Sequence, residues 1–203
     1  VEGFDVSEYV EKVDYSAAQQ YGDQKFVYIK ALDGIHDPDP LFHEHWRKAG
    51  EAGLIRGAYH FVYGFQDPVV SARTFVAHGG GWTPGGRIMP GAVDIENCST
   101  LFTEDWVRRY SDEYYRLVGR HPVINTRYNV WSDCIGNSNA FHANPLWLSN
   151  YDNGKIGPIP GGWPRYTIFQ YAKWNNGSRD TPYGDKDRFY GTYTQLARWA
   201  RGR

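Results

Sequence analysis

Short apolar, β-rich runs alternate along this chain with segments of helical character. Strands are expected at Glu2–Ser7, Phe26–Ala31, Ile55–Val62, Pro90–Asn97 and Pro122–Thr126. Helices are expected between them. Ser16–Gly22 ends at a glycine stop, and Leu41–Gly50 is a second helix. A third opens with Asp67 as N-cap and Pro68 in the first helical position, and a fourth runs through Thr103–Gly119. After Thr126 the rhythm changes: Pro145–Tyr151, Tyr166–Tyr171 and a short last strand around Asp187–Phe189 follow with little helical sequence between them. Tyr193–Trp199 reads as a closing helix. Such alternation calls for a parallel α/β sheet, and about eight strands suit a closed TIM-like barrel. Five βα units and then a helix-poor remainder make that barrel irregular. With 203 residues there is material for one sizeable core, so a single domain over residues 1–203 is expected.

The stretch Pro90-Gly91-Ala92-Val93-Asp94-Ile95-Glu96-Asn97 interrupts the apolar pattern with two acids. Residues i and i+2 of a strand share a face. Asp94 and Glu96 therefore point one way, and Val93 and Ile95 the other. The apolar pair suits the helix side of a barrel, which places both acids inside, near the strand's C-terminal end where barrel enzymes build their sites. Two carboxylates this close do not both ionise easily: one is expected to rise, and the pair to titrate together. A raised carboxylic acid is what protonation of a glycosidic oxygen needs near neutral pH. An isolated Asp-x-Glu triplet usually marks solvated surface; it is the direction of burial that favours chemistry here.

The same alternation turns Asp5, between Phe4 and Val6, into the barrel, although an Asp there also suits the cap of a turn. Near the last strand, Gly184–Phe189 offers Asp185 and Asp187. First and last strands of a barrel are neighbours, so Asp5 and Asp185 are expected to face each other beside the central pair. Lys30 is a lone cation in an apolar run, either offsetting these acids or snorkelling to solvent.

Composition adds aromatic rings: 8 Trp, 16 Tyr and 10 Phe. They fill a core or line a cleft for the flat faces of sugars. Tyr59, Phe61, Tyr128, Trp131, Trp147, Tyr151, Gln170, Tyr171 and Trp174 lie at or after strand ends and suggest a sugar-binding rim. His60 reads as a structural, hydrogen-bonded histidine. The Cys and His residues show no metal-ligand spacing, so neither a metal nor another cofactor is expected. A formal charge of −1 argues against a nucleic-acid partner. No run approaches the roughly 20 apolar residues of a membrane span. The chain begins directly with its first strand, so either it is cytoplasmic or a leader has been removed. Cys98 and Cys134 form one disulfide or remain buried thiols; the strand order brings both to one end of the fold and favours the disulfide, worth about 3–4 kcal/mol. Two glycosylation sequons, Asn97-Cys98-Ser99 and Asn176-Gly177-Ser178, are compatible with secretion.

Taken in order, Gly3–Ser7, Phe26–Gly34, Gly57–Phe61, Val93–Asn97, Pro145–Tyr151, Tyr166–Ala172 and Gly184–Phe189 resemble glycoside hydrolase family 25, the Chalaropsis-type lysozymes or N-acetylmuramidases, over essentially the whole chain. The likeness is greatest to secreted fungal and actinomycete members. The resemblance implies a (β/α)5β3 barrel and cleavage of the β-1,4 bond between N-acetylmuramic acid and N-acetylglucosamine in bacterial peptidoglycan. It implies Glu96 as general acid and Asp94 as its partner, with Asp5 and Asp185 as the active-site acids of the first and last strands; Asp187 lies two residues beyond. The family's second strand often ends Lys-Ala-Thr-Glu-Gly, whereas here it ends Lys30-Ala31-Leu32-Asp33-Gly34, a departure at the acid. Expected substrate contacts are Lys30, Tyr59, Phe61, Tyr128, Trp147, Tyr151, Gln170 and Asp187. A secreted, extracellular monomer follows as the expectation, with a chitinase-like glycosidase or a non-catalytic sugar-binding barrel as rivals.

Overall fold

A computed structural model describes residues 1–85, 87–174 and 183–202. The second sequon, Asn176-Gly177-Ser178, lies outside these described residues. The strands are β1 (Glu2–Val6), β2 (Phe26–Asp33), a two-residue β3 (Asp37–Pro38), β4 (Ile55–Phe61), β5 (Ala92–Asp94), β6 (Val123–Thr126), β7 (Leu146–Ser149), β8 (Ile168–Ala172) and β9 (Asp185–Phe189). Helices α1 (Tyr15–Gln20), α2 (Phe42–Glu51), α3 (Pro68–Phe75), α4 (Glu104–Val118) and α5 (Tyr128–Ile135) follow β1, β3, β4, β5 and β6 in turn, and α6 (Tyr193–Ala200) follows β9. The strand order β1-β9-β8-β7-β6-β5-β4-β2, with β1 also paired to β2, closes the sheet into an eight-stranded barrel; β3 only folds back on the end of β2.

The helix ends obey local chemistry. Asp67 accepts from the Val69 and Val70 amides with Pro68 behind it, as the sequence predicts. Thr103 caps α4, and Gly119 ends it in the left-handed conformation at φ 74°. One helix is not anticipated by the sequence pattern: α5. Its buried residues, Val130, Trp131 and Ile135, are too few and too unevenly spaced to mark an apolar stripe. A second difference is the direction of β9, which runs antiparallel to both β1 and β8 in an otherwise parallel barrel. The sequence-level expectation of an all-parallel sheet is corrected there.

Strand alternation divides two cores. Outward residues such as Phe4, Ile29, Ala58, Val93, Ile95, Ile124, Leu148 and Phe169 pack under the helices. Inward residues Phe26, Tyr28, Ile55, Met89, Ala92, Val123, Trp147, Ile168 and Phe189 fill the barrel, and Leu196 and Ala200 of α6 pack with them. Small residues make room for the rings: a Cβ at Gly57 would run into Tyr28, whose hydroxyl bonds the Pro90 carbonyl at 2.8 Å. His60 faces outward, fully buried between the Tyr110 hydroxyl (3.0 Å) and the Gly34 carbonyl (2.6 Å); burial pushes its imidazole down to about 4. Neutral His60 is thus a structural strut.

Candidate active site

Above the apolar filling, the barrel opens into a cleft of about 330 Å³ lined by carboxylates and rings. Four strands supply its acids. Asp94 ends β5, with Glu96 two residues on and turned to the same side. Val93 and Ile95 point the opposite way into the helix-side core. Asp5 of β1 is registered directly against Asp185 of β9. Asp33, at the end of β2, also lines the cleft.

Glu96 is fixed from both sides. The Ile95 amide bonds the Asn125 carbonyl at 2.9 Å, and the Thr126 hydroxyl donates to the Ile95 carbonyl at 3.0 Å. Just after Glu96, Cys98 is bonded to Cys134 of α5, with Cα atoms 5.2 Å apart. The Glu96 side chain is 31% exposed and meets the Arg127 guanidinium at 3.4 Å, a pair that water screens substantially. Asp94 is only 8% exposed, and its Oδ1 is buried without a hydrogen-bond partner. Burial first, and the Glu96 charge second, push the Asp94 carboxyl well above the usual carboxylate range. Of the pair expected to split, the deeper member is the one held up.

The opposite wall is a connected network. The Gln170 amide donates to Asp5 at 2.7 Å and to Asp185 at 3.2 Å. Its carbonyl oxygen accepts from Ser149 (2.7 Å) and Tyr151 (2.6 Å), and Asn125 in turn donates to Ser149 at 3.1 Å. The Trp174 amide donates to the other oxygen of Asp185. Burial raises Asp5, reinforced by the charges of Asp187 and Asp185; burial also raises Asp185, opposed by the Trp174 amide and by Lys173. Lys30 is buried at the cleft wall, where it pairs with Asp33 at 3.2 Å and Glu8 at 3.7 Å rather than snorkelling out.

Of the expected rim, Tyr59, Phe61 and Trp147 line the acid cleft together with Lys30 and Gln170. Tyr151 lines an adjoining hollow with Glu96 and Asp185. Others lie elsewhere. Asp187 is fully buried beneath the cleft, its Oδ1 accepting from the Trp147 indole at 2.8 Å, so it is closed to a substrate. Tyr128 lines a neighbouring 450 Å³ hollow rather than the acid cleft. Trp131 sits on a helix and is fully buried, and Tyr171 points to the barrel's outside, bonding Glu2 at 2.7 Å. The sequence reading missed Ser7, Tyr9, Tyr63 and Arg127. Asn125 and Arg127 do continue the i, i+2 polar alternation off the end of β6, a usable signal; Tyr9 and Tyr63 come from loops without a pattern.

Buried acids at two depths, aromatic walls and an open mouth provide proton transfer to a ring-shaped polar substrate. Residues 4–178 match the sequence profile of Glycosyl hydrolases family 25. The N,O-diacetylmuramidase of Chalaropsis sp is 37% identical over 217 residues, covering all of both chains. The solved muramidase from Trichobolus zukalii superposes with a TM-score of 0.91 at 37% identity, again over the whole of both chains. The bacterial lysozyme from Streptomyces coelicolor gives a TM-score of 0.91 at 30% identity, over 100% of this chain and 97% of its own. By profile, sequence and fold alike, the chain belongs to family 25 of the glycosyl hydrolases.

Proposed function

We propose that this family 25 hydrolase is a retaining muramidase that cuts the β-1,4 bond between N-acetylmuramic acid and N-acetylglucosamine in bacterial peptidoglycan. Glu96, at the mouth and accessible, protonates the leaving oxygen. The C1–oxygen bond breaks as the substrate's own 2-acetamido oxygen attacks C1, giving an oxazolinium ion. Water then adds to C1, its proton returning to Glu96. Asp94 accepts the acetamido N–H and orients that group. The observation that carries this reading is the buried, unpartnered Oδ1 of Asp94 on the same face as Glu96. An acceptor in that position lacks a donor, and burial opposes the full charge that a carboxylate nucleophile needs. Asp5 and Asp185, joined through Gln170, shape the sugar pocket on the far wall.

The catalytic unit spans residues 1–203, because β9 and α6 close the barrel beyond residue 178, where the family match ends. The closed barrel favours a monomer, since it leaves little free sheet edge. The Cys98–Cys134 bond suits an oxidising, extracellular setting, where peptidoglycan also lies. No described helix is long and apolar enough to cross a membrane.

Glu96→Gln tests the assignment directly. Release of new reducing ends from purified walls is expected to fall by about 1000-fold, within the usual range for a general acid; a loss of less than tenfold refutes the role. Mass spectrometry of enzyme trapped during turnover is expected to show no sugar on Asp94, and an adduct there would overturn the acetamido route.

A further inference from the structure

The cations around the cleft differ in how they are engaged. Lys30 is buried and already paired with Asp33 and Glu8. On the opposite edge, Arg127 and Lys173 both sit over the Tyr151 ring, 5.2 Å and 4.8 Å from its centre. Tyr151 is itself held by its hydroxyl on Gln170, so the ring is a fixed platform tied to the acid network. Arg127 reaches Glu96 only at 3.4 Å, and its Nε is buried without a hydrogen-bond partner. Arg127 and Tyr151 form the wall between two spaces: the hollow holding Glu96 and Asp185, and the 450 Å³ hollow lined by Tyr128, Asn150 and Pro158.

An anionic group entering this cleft meets Asp5, Asp94, Asp185 and Glu96, and the wall cation Lys30 is already paired with Asp33 and Glu8, so the cations left to receive it stand at that edge. On the muramidase reading, the substrate brings such a group wherever its muramoyl sugar carries no peptide. A muramoyl sugar differs from a glucosaminyl one by a 3-O-lactyl substituent, whose carboxylate is ionised at neutral pH when no peptide is attached. We propose that Arg127 and Lys173, carried on Tyr151, form a carboxylate-binding edge that recognises the acidic 3-substituent of the muramoyl sugar, with the adjoining hollow receiving whatever extends from it. The edge fixes which way round the glycan lies, and it disfavours uncharged chitin. A guanidinium and an ammonium beside each other suit a carboxylate better than a hydroxyl.

A substrate-and-variant cycle tests this. Soluble muramoyl–glucosaminyl oligosaccharides are assayed with the lactyl carboxylate free and with it converted to a methylamide. For the wild type, KM is expected to rise about tenfold on amidation. Lys173 is exposed, so Lys173→Gln should fold normally. That variant should raise KM on the acid substrate several-fold and lose most of the acid-over-amide preference, with the change falling on KM more than on kcat. Arg127→Gln should act in the same direction. A wild type without preference, or variants that keep it, overturns the proposal. So do variants that shift the pH profile equally on both substrates, because the cations would then serve only Glu96 and Asp185. Failure of the wild type to cut either substrate instead refutes the muramidase reading, and the proposal with it. Stem-bearing glycan as a third substrate distinguishes lactyl from peptide carboxylates: a preference seen only there moves the recognised anion onto the peptide and overturns the lactyl assignment.

Discussion

The lower and upper halves of the barrel interior are made by the same strands, one turn of the pleat apart, and hold opposite chemistries. Below lie Phe26, Tyr28, Ile55, Ala92, Val123 and Ile168, buried and packed on one another. Above lie Asp5, Lys30, Asp94, Asn125, Gln170 and Asp185, all inward-facing and mostly buried. On β5 the change takes a single step of two residues, from Ala92 to Asp94, and on β6 from Val123 to Asn125. Facing the same way is therefore not the same as serving the same purpose: depth along the barrel axis decides it. The apolar half makes the polar half possible, because a rigid floor lets carboxylates be desolvated in place without collapsing inward. Asp187 breaks the division, an acid set fully into the floor beside Trp147.

Substitutions can press on this contrast from each side. The largest effect is expected in the upper half, where Asp94→Asn keeps the shape but not the charge behaviour. Wall-hydrolysing activity should fall by about 100- to 1000-fold, roughly 3–4 kcal/mol of barrier, while the melting temperature at neutral pH holds or rises. A large drop in melting temperature would mean that the upper half is structural after all. Next, Gly57→Ala adds one methyl to the lower half against Tyr28. Overpacking there should cost about 1–3 kcal/mol of stability, seen as a lower midpoint in denaturant melts; activity per folded molecule should change little by comparison.

The smallest effect concerns the exception, Asp187. Burial raises its carboxyl above the unfolded value, with the Asp185 charge adding to the rise. Its contribution to stability is therefore fully present below the unfolded value near 4 and is lost as pH climbs through the raised folded value. Asp187→Asn removes that loss and retains an oxygen for the Trp147 indole. Thermal melts should show a gain of about 1 kcal/mol, or 2–4 °C for a chain of this size, at pH 7, shrinking toward pH 4. A lower melting temperature at pH 7 would show that the ionised form is the one the floor is built around.

Part of this contrast was legible in the sequence. Period-two alternation identified the inward acids of β1 and β5, whose apolar neighbours, beside Asp5 and Asp94, told which way the acids point. Pairing of first and last strands followed from closure alone, and Asp5 against Asp185 is its direct product. Depth was less accessible, because alternation has no term for distance along the axis; Asp185 and Asp187 look alike in sequence yet lie at the mouth and in the floor. Direction was missed at β9, since a short strand reads the same both ways. Two rings assigned to the rim lie away from it for different reasons: Trp131 sits on the unforeseen α5, and Tyr171, within β8, falls on the other face from Gln170. Arg127 and Tyr151, which meet beside Glu96, are 24 residues apart in the chain and share no local pattern.

Closure of the barrel also sets a schedule. β1 pairs with both β2 and β9. The chain's first strand thus waits for its last. A protein synthesised from its N-terminus can assemble β1 through β8, with Glu96 and Asp94 already on β5 and the loop beyond it, while Asp5 still lacks Asp185 across from it. Contacts of such long sequence separation are slow to form and come late. The complete acid cleft, with carboxylates from four strands, is therefore among the last things the molecule makes.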